Sequence, residues 1–140
     1  MSQSWPANRS MMSATVIPVL GYPDLRAAVD WLCHAFGFRE RLRIGDHRTQ
    51  LDVDGGNIVI LASPPGTSHD DGSHVMIRVV DVDAHAARAE RNGARIVNPP
   101  TDYPFGERQY TAHDFAGRRW TFSQTIADVD PASWGGELVR

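Results

Sequence analysis

The chain has 140 residues, enough for one domain with its own core and too few for two ordinary domains. Charged residues make up 22% and the formal net charge is −3, so no basic surface invites nucleic acid or anionic lipid. The single cysteine, Cys33, excludes a disulfide framework within the chain. No apolar run approaches the roughly 20 residues of a membrane helix, and no basic-then-apolar leader opens the sequence, so the expected location is cytoplasmic.

Residues 1–13 (MSQSWPANRSMMS) are polar and without period, and read as a flexible arm. The apolar run TVIPVL then predicts a strand. LRAAVDWLCHAF predicts a helix, because Leu25, Ala28, Val29, Leu32, Ala35 and Phe36 recur at helical spacing. Asp24 stands where an N-cap accepts an orphan N–H, and Gly37 where a left-handed residue ends the helix. FRERLRI, HRTQLDV and, beyond the turn DGGN, IVILA predict three strands. Residues 63–73 (SPPGTSHDDGS) bury almost nothing and read as a linker. The order then begins again, with HVMIRVV as strand, DVDAHAARAERNG as helix with Asp81 or Asp83 near its start, ARIVN as strand, and RQYTAHD and RRWTFSQ as a hairpin across DFAG. Ile17 to Asp24 and His74 to Asp81 have the same separation, so the chain is an internal duplication of β-α-β-β-β. The modules span 14–62 and 74–126 within one domain, 14–126, followed by a tail, 127–140.

The duplicated unit, the strand-Asp-helix-Gly opening of each half and the hairpin pattern D-x-x-G-x-x-W (Asp114, Gly117, Trp120) together resemble the vicinal oxygen chelate superfamily of glyoxalases, bleomycin-resistance proteins and extradiol dioxygenases. The resemblance covers residues 14–126; the common D-P-x-G turn is D-F-A-G here. It implies an α+β fold in which two β-α-β-β-β modules form curved mixed sheets around a ligand cavity, usually in a homodimer. It also implies four strand positions for metal ligands, which fall on Ile17, Ile60, His74 and Thr121. Of these only His74 is a good ligand, and a neutral Thr hydroxyl is a poor one for zinc, nickel or iron. The expectation is therefore a member without a metal and with no cofactor.

Period-two alternation extends those positions to a pocket. With His74 inward, Met76 and Arg78 share its face; with Thr121 inward, so do Arg119 and Ser123. A four-residue loop at DFAG sets Tyr110 opposite Thr121 and Arg108 opposite Ser123, which makes an anion-accepting patch. Trp120 and Phe122 then lie beneath a helix. His74 is equally a satisfied core histidine, and Arg108 equally a surface ion pair with Glu107 or Asp102 nearby. His69, His85 and His113 read as solvated or capping.

No phosphate loop, G-x-S-x-G elbow, C-x-x-C or H-E-x-x-H motif is present. Three functions remain. The first is a protein that binds a small organic molecule, an antibiotic or metabolite, in a metal-free cavity. The second is a metal-independent lyase or isomerase with His74 as general base and Tyr110 or Arg108 polarising an oxygen. The third, disfavoured by Ile17, Ile60 and Thr121, is a divalent-metal glyoxalase or dioxygenase. The expected partners are a small-molecule ligand and a second copy of the chain, with no nucleic acid and no membrane.

Overall fold

The computed structural model describes residues 5–66 and 72–139. Within them lie two compact units, one of residues 5–33 and 37–66, the other of residues 34–36 and 72–139. The linker histidine, His69, lies outside the described residues.

The first unit carries β1 (Val19–Tyr22), most of α1 (Leu25–Phe36), β2 (Arg39–Ile44), β3 (Arg48–Val53) and β4 (Gly56–Ala62). Asp24 caps α1 by accepting the Ala27 N–H at 3.1 Å, and Gly37 ends it at φ 79°. All six residues of the apolar stripe, Leu25 through Phe36, are buried. The strands form one sheet in the order β1-β4-β3-β2, antiparallel except for the β1–β4 pair. β1 begins later than the run TVIPVL predicts. Pro18 has no N–H to give, and its carbonyl accepts from Val59 N at 2.9 Å just before the ladder opens.

The second unit repeats the plan with β5 (Val75–Arg78), α2 (Val82–Arg91), β6 (Arg95–Asp102), β7 (Glu107–His113) and β8 (Arg119–Thr125). Asp81, not Asp83, is the N-cap, accepting from Ala84 N at 3.0 Å. The sheet order is β5-β8-β7-β6, with β5 parallel to β8. A 3-10 turn, Pro131–Trp134, follows in the tail.

The core of this second unit is aromatic. Trp120, Phe122 and Tyr110 are fully buried, and Phe36, at the end of α1, packs on Trp120 and Phe122 with ring centroids at 5.5 and 4.8 Å. Each such side chain taken from water stabilises the fold by about 1.5–3 kcal/mol. α2 offers only Val82, Ala86 and Ala89 to this core, together with His85, whose ring lies 4.1 Å from that of Phe122.

The D-x-x-G-x-x-W pattern is a structural device. Asp114 Oδ1 accepts from the N–H groups of Ala116 and Arg118, both at 2.9 Å, and Oδ2 accepts from the Trp120 indole at 3.0 Å. Gly117 closes the turn at φ 84°, a conformation glycine adopts without a Cβ penalty. The turn is one residue longer than the sequence predicts, because Asp114 N bonds Arg118 O at 2.9 Å and His113 pairs with Arg119.

Candidate functional site

That one residue resets the face of β7. Tyr110 pairs with Phe122 and Thr111 with Thr121, whereas Gln109, not Arg108, lies opposite Ser123. The predicted pairs Tyr110–Thr121 and Arg108–Ser123 are therefore corrected. Tyr110 lies on the helix side, where its O–H meets His85 Nδ1 at 2.5 Å. Arg108 lies on the same side with its donors taken, Nε on Asp102 at 2.6 Å and Nη1 on Asp83 at 3.0 Å. Trp120 and Phe122 do lie beneath a helix, on the α2 side of the sheet, so the slip is confined to β7. His85 is half-buried and bonded at both nitrogens, not solvated as its sequence setting predicts.

The side of the second sheet away from α2 is a floor of short polar side chains. The Thr111 and Thr121 hydroxyls bond each other at 2.9 Å. Gln109 Nε2 donates to Ser123 Oγ at 3.0 Å, and Ser123 Oγ donates to Glu107 at 2.7 Å. Met76 and Arg78 on β5 stand beside Thr121 and Ser123, and Arg78 donates to the Thr125 hydroxyl at 2.9 Å. On the far side Asn98, paired with Thr111, donates to the Tyr103 phenol at 2.9 Å. Tyr103 stacks on Phe105 at 5.4 Å, and Phe105 meets Trp134 of the tail at 5.3 Å. Thr121 and Ser123 are buried, whereas His74, Met76, Arg78 and Arg119 are exposed. The former form the floor and the latter an outer rim.

Hydrogen bonds from Thr125 and Ser123, aided by the charge of Arg78, hold the Glu107 carboxyl below its usual range, so it is ionised near neutrality. Arg78 thus sits beside a fixed carboxylate, and Arg119 adds a second guanidinium to the exposed rim. Sequence reasoning missed Gln109, Thr111, Glu107 and Asn98. The alternation of β7 contains the first three, one residue out of the assumed register.

In the first unit the corresponding correction concerns Ile60. It pairs with Thr49, whose hydroxyl accepts from Arg26 of α1, so Ile60 faces the helix. Val59, paired with Gln50, takes the side away from α1. Ile17 precedes β1 and lines a cavity of about 500 Å³ formed with Trp5, Pro6, Met11 and Met12 of the arm.

The residues at the four metal positions do not fit a divalent ion. In the second unit Thr121 offers a neutral hydroxyl already bonded to another, and His74 lies outside β5, exposed. In the first unit Ile17 and either Ile60 or Val59 are hydrocarbon. Among the described residues no cluster of three or more His, Cys, Asp or Glu is placed to hold a metal. The Cys33 thiol is half-buried, and burial raises its pKa, with the charge of Glu40 adding to the effect. No helix among the described residues is long and apolar enough to cross a membrane.

The likeness to known proteins agrees with this architecture. TioX from Micromonospora sp. ML1 is 36% identical over 81% of this chain and 100% of its own, with a TM-score of 0.69. A glyoxalase/bleomycin resistance protein/dioxygenase from Nocardioides is 18% identical, covers 91% of each chain and has a TM-score of 0.64. The fosfomycin resistance protein FosX from Listeria monocytogenes is 18% identical over 81% of this chain and 94% of its own, with a TM-score of 0.66. No curated protein matches the sequence. The family model of the Glyoxalase/Bleomycin resistance protein/Dioxygenase superfamily matches residues 15–122, and the chain belongs to that superfamily.

Proposed function

We propose that the protein binds a small organic molecule, an antibiotic or a metabolite, over the polar floor of its second module and without a metal ion. The observation that carries this reading is the Thr111–Thr121 hydroxyl pair. At a position where metal-using members of the family need a strong donor, this chain has two neutral hydroxyls, and beside them lies the Gln109–Ser123–Glu107 network. Such a surface recognises its ligand by hydrogen bonds, with Met76 and the Tyr103–Phe105–Trp134 cluster available to apolar or aromatic parts. The antibiotic reading is supported by the likeness in fold to FosX, a fosfomycin resistance protein. The same reading takes the active form to be a homodimer, since each sheet ends in strands with an unpaired edge.

The test is calorimetry on chelator-treated protein against a panel of antibiotics and aromatic metabolites, with fosfomycin and bleomycin included. Saturable binding without added metal, weakened by Thr121→Val, supports the proposal. Binding that needs one equivalent of a divalent ion overturns it, and so does catalysed turnover of the bound molecule. A monomer mass in light scattering at micromolar concentration overturns the dimer.

A further inference from the structure

The arm before β1 is hydrogen-bonded to the face of the first sheet away from α1. Residues 8–11 form a turn, closed by Met11 N donating to Asn8 O at 3.1 Å and braced by Ser10 N on Asn8 Oδ1 at 3.1 Å. Three successive carbonyls of this segment meet donors from the sheet. Arg41, at the bulge in β2, gives one guanidinium nitrogen to both Arg9 O at 2.9 Å and Met11 O at 3.2 Å. Gln50 of β3 gives its amide to Ser10 O at 3.0 Å. The other terminal nitrogen of Arg41 bonds Gln50 Oε1, so the two donors are set relative to each other. Further along, Ala14 N donates to Asn57 Oδ1 on β4 at 3.1 Å, while the Asn57 amide is held by Asp52 at 2.8 Å. Gln50 and Asn57 are buried at this contact, and Met12 is the one buried side chain among the described residues of the arm, with 5% exposed.

These contacts read backbone, with one side-chain pocket. Three strands supply an array that matches a chain reversal with convergent carbonyls, followed by an unbranched apolar side chain and an N–H. A guanidinium shared by two carbonyls makes a strong, charge-assisted bond, which is more than an arm needs merely to lie on a surface. The segment leading into β1 also folds around a cavity of about 500 Å³ of its own, lined by Trp5, Met11, Met12 and Ile17 among others.

We propose that this face is a recognition surface for a peptide turn presenting successive carbonyls, and that residues 8–14 fill it in cis as a displaceable strap. A partner with that turn and a methionine-like side chain in the place of Met12 takes the face when the strap leaves. The surface belongs to the first module.

The test uses a fluorescent synthetic peptide of residues 5–16 and full-length chains, read by anisotropy. Met12→Asp alters only the arm and releases the strap, so this chain binds the peptide saturably and at least about tenfold more tightly than the wild type. Adding Arg41→Ala to Met12→Asp lowers that affinity about tenfold, the loss expected for a charge-assisted hydrogen bond. Ala14→Pro, which removes the N–H bonded to Asn57, is a second release variant should Met12→Asp fail to fold. No peptide binding by a folded release variant overturns the proposal, as does binding that Arg41→Ala leaves unchanged.

Discussion

Tyr110 O–H lies 2.5 Å from His85 Nδ1, and His85 Nε2 lies 3.0 Å from the Phe36 carbonyl. A carbonyl only accepts, so Nε2 carries the proton, and the neutral ring takes the Tyr110 proton at Nδ1. Strand β7, helix α2 and the end of α1 are thereby joined by one half-buried chain of hydrogen bonds. Burial holds His85 below its ordinary pKa, reinforced by the charge of Arg88, and raises the Tyr110 phenol. Tyr110→Phe takes the donor from the half-buried His85 Nδ1 and is expected to cost about 1 kcal/mol in urea unfolding.

The same histidine sets a pH dependence. Its folded pKa is below the ordinary 6.5, so between the two values the unfolded chain binds more protons and stability rises with pH. The His85 contribution is complete above pH 6.5 and declines as pH falls toward the folded pKa. His85→Gln should flatten the melting temperature over that window, and an unchanged slope would refute the assignment.

Glu40 governs a lower window. The hydrogen bond from Arg43, with further ones from Arg26 and Thr49, holds its carboxyl at about 2 against an ordinary 4.5. The unfolded chain therefore binds the extra proton between these values, and stability contributed by Glu40 is lost as pH falls from 4.5 to about 2. Acid titration of Glu40→Gln should show a shallower loss there and an unchanged slope near pH 6, which separates this group from His85.

Asp114 and Trp120 form a coupled pair. Asp114→Ala removes the carboxylate that accepts from two backbone N–H groups and a buried indole N–H, with an expected loss of about 2–4 kcal/mol. Asp114→Asn keeps an oxygen for the turn and loses the indole bond, so it should cost less. Trp120→Phe should then be nearly as harmful alone as with Asp114→Asn, and the double-mutant cycle in urea measures the coupling.

For the ligand surface, the register of β7 separates neighbours. Arg108 faces the helix side with both carboxylate partners in place, so Arg108→Ala should leave the affinity for any ligand of the second module unchanged. Gln109→Ala removes part of the hydroxyl floor and is expected to weaken binding by about 1 kcal/mol, some fivefold. Calorimetry with the two variants in parallel checks the face directly.

How much of this was legible in the sequence follows from the range of each signal. The helices, the Asp24 cap, the order of strands along each module and the duplication depend on residues a few positions apart, so the sequence alone determined them, whereas the choice of Asp81 over Asp83 as the second cap came from the structure. It also placed Thr121, Arg119, Ser123, Met76 and Arg78 on one face, because alternation within a strand is strict. The pairing of β7 with β8 depended on how many residues the Asp114 carboxylate gathers into its turn, and one extra residue turned Tyr110 and Arg108 to the helix side. Ile60 was misplaced for a related reason: nothing local fixes which of two adjacent buried residues, Val59 or Ile60, faces the helix. The arm is the extreme case. Its polar, aperiodic sequence carries no sign that Arg41, Gln50 and Asn57 hold its backbone, because backbone carbonyls are the same in every sequence and only the tertiary structure brings their donors to them.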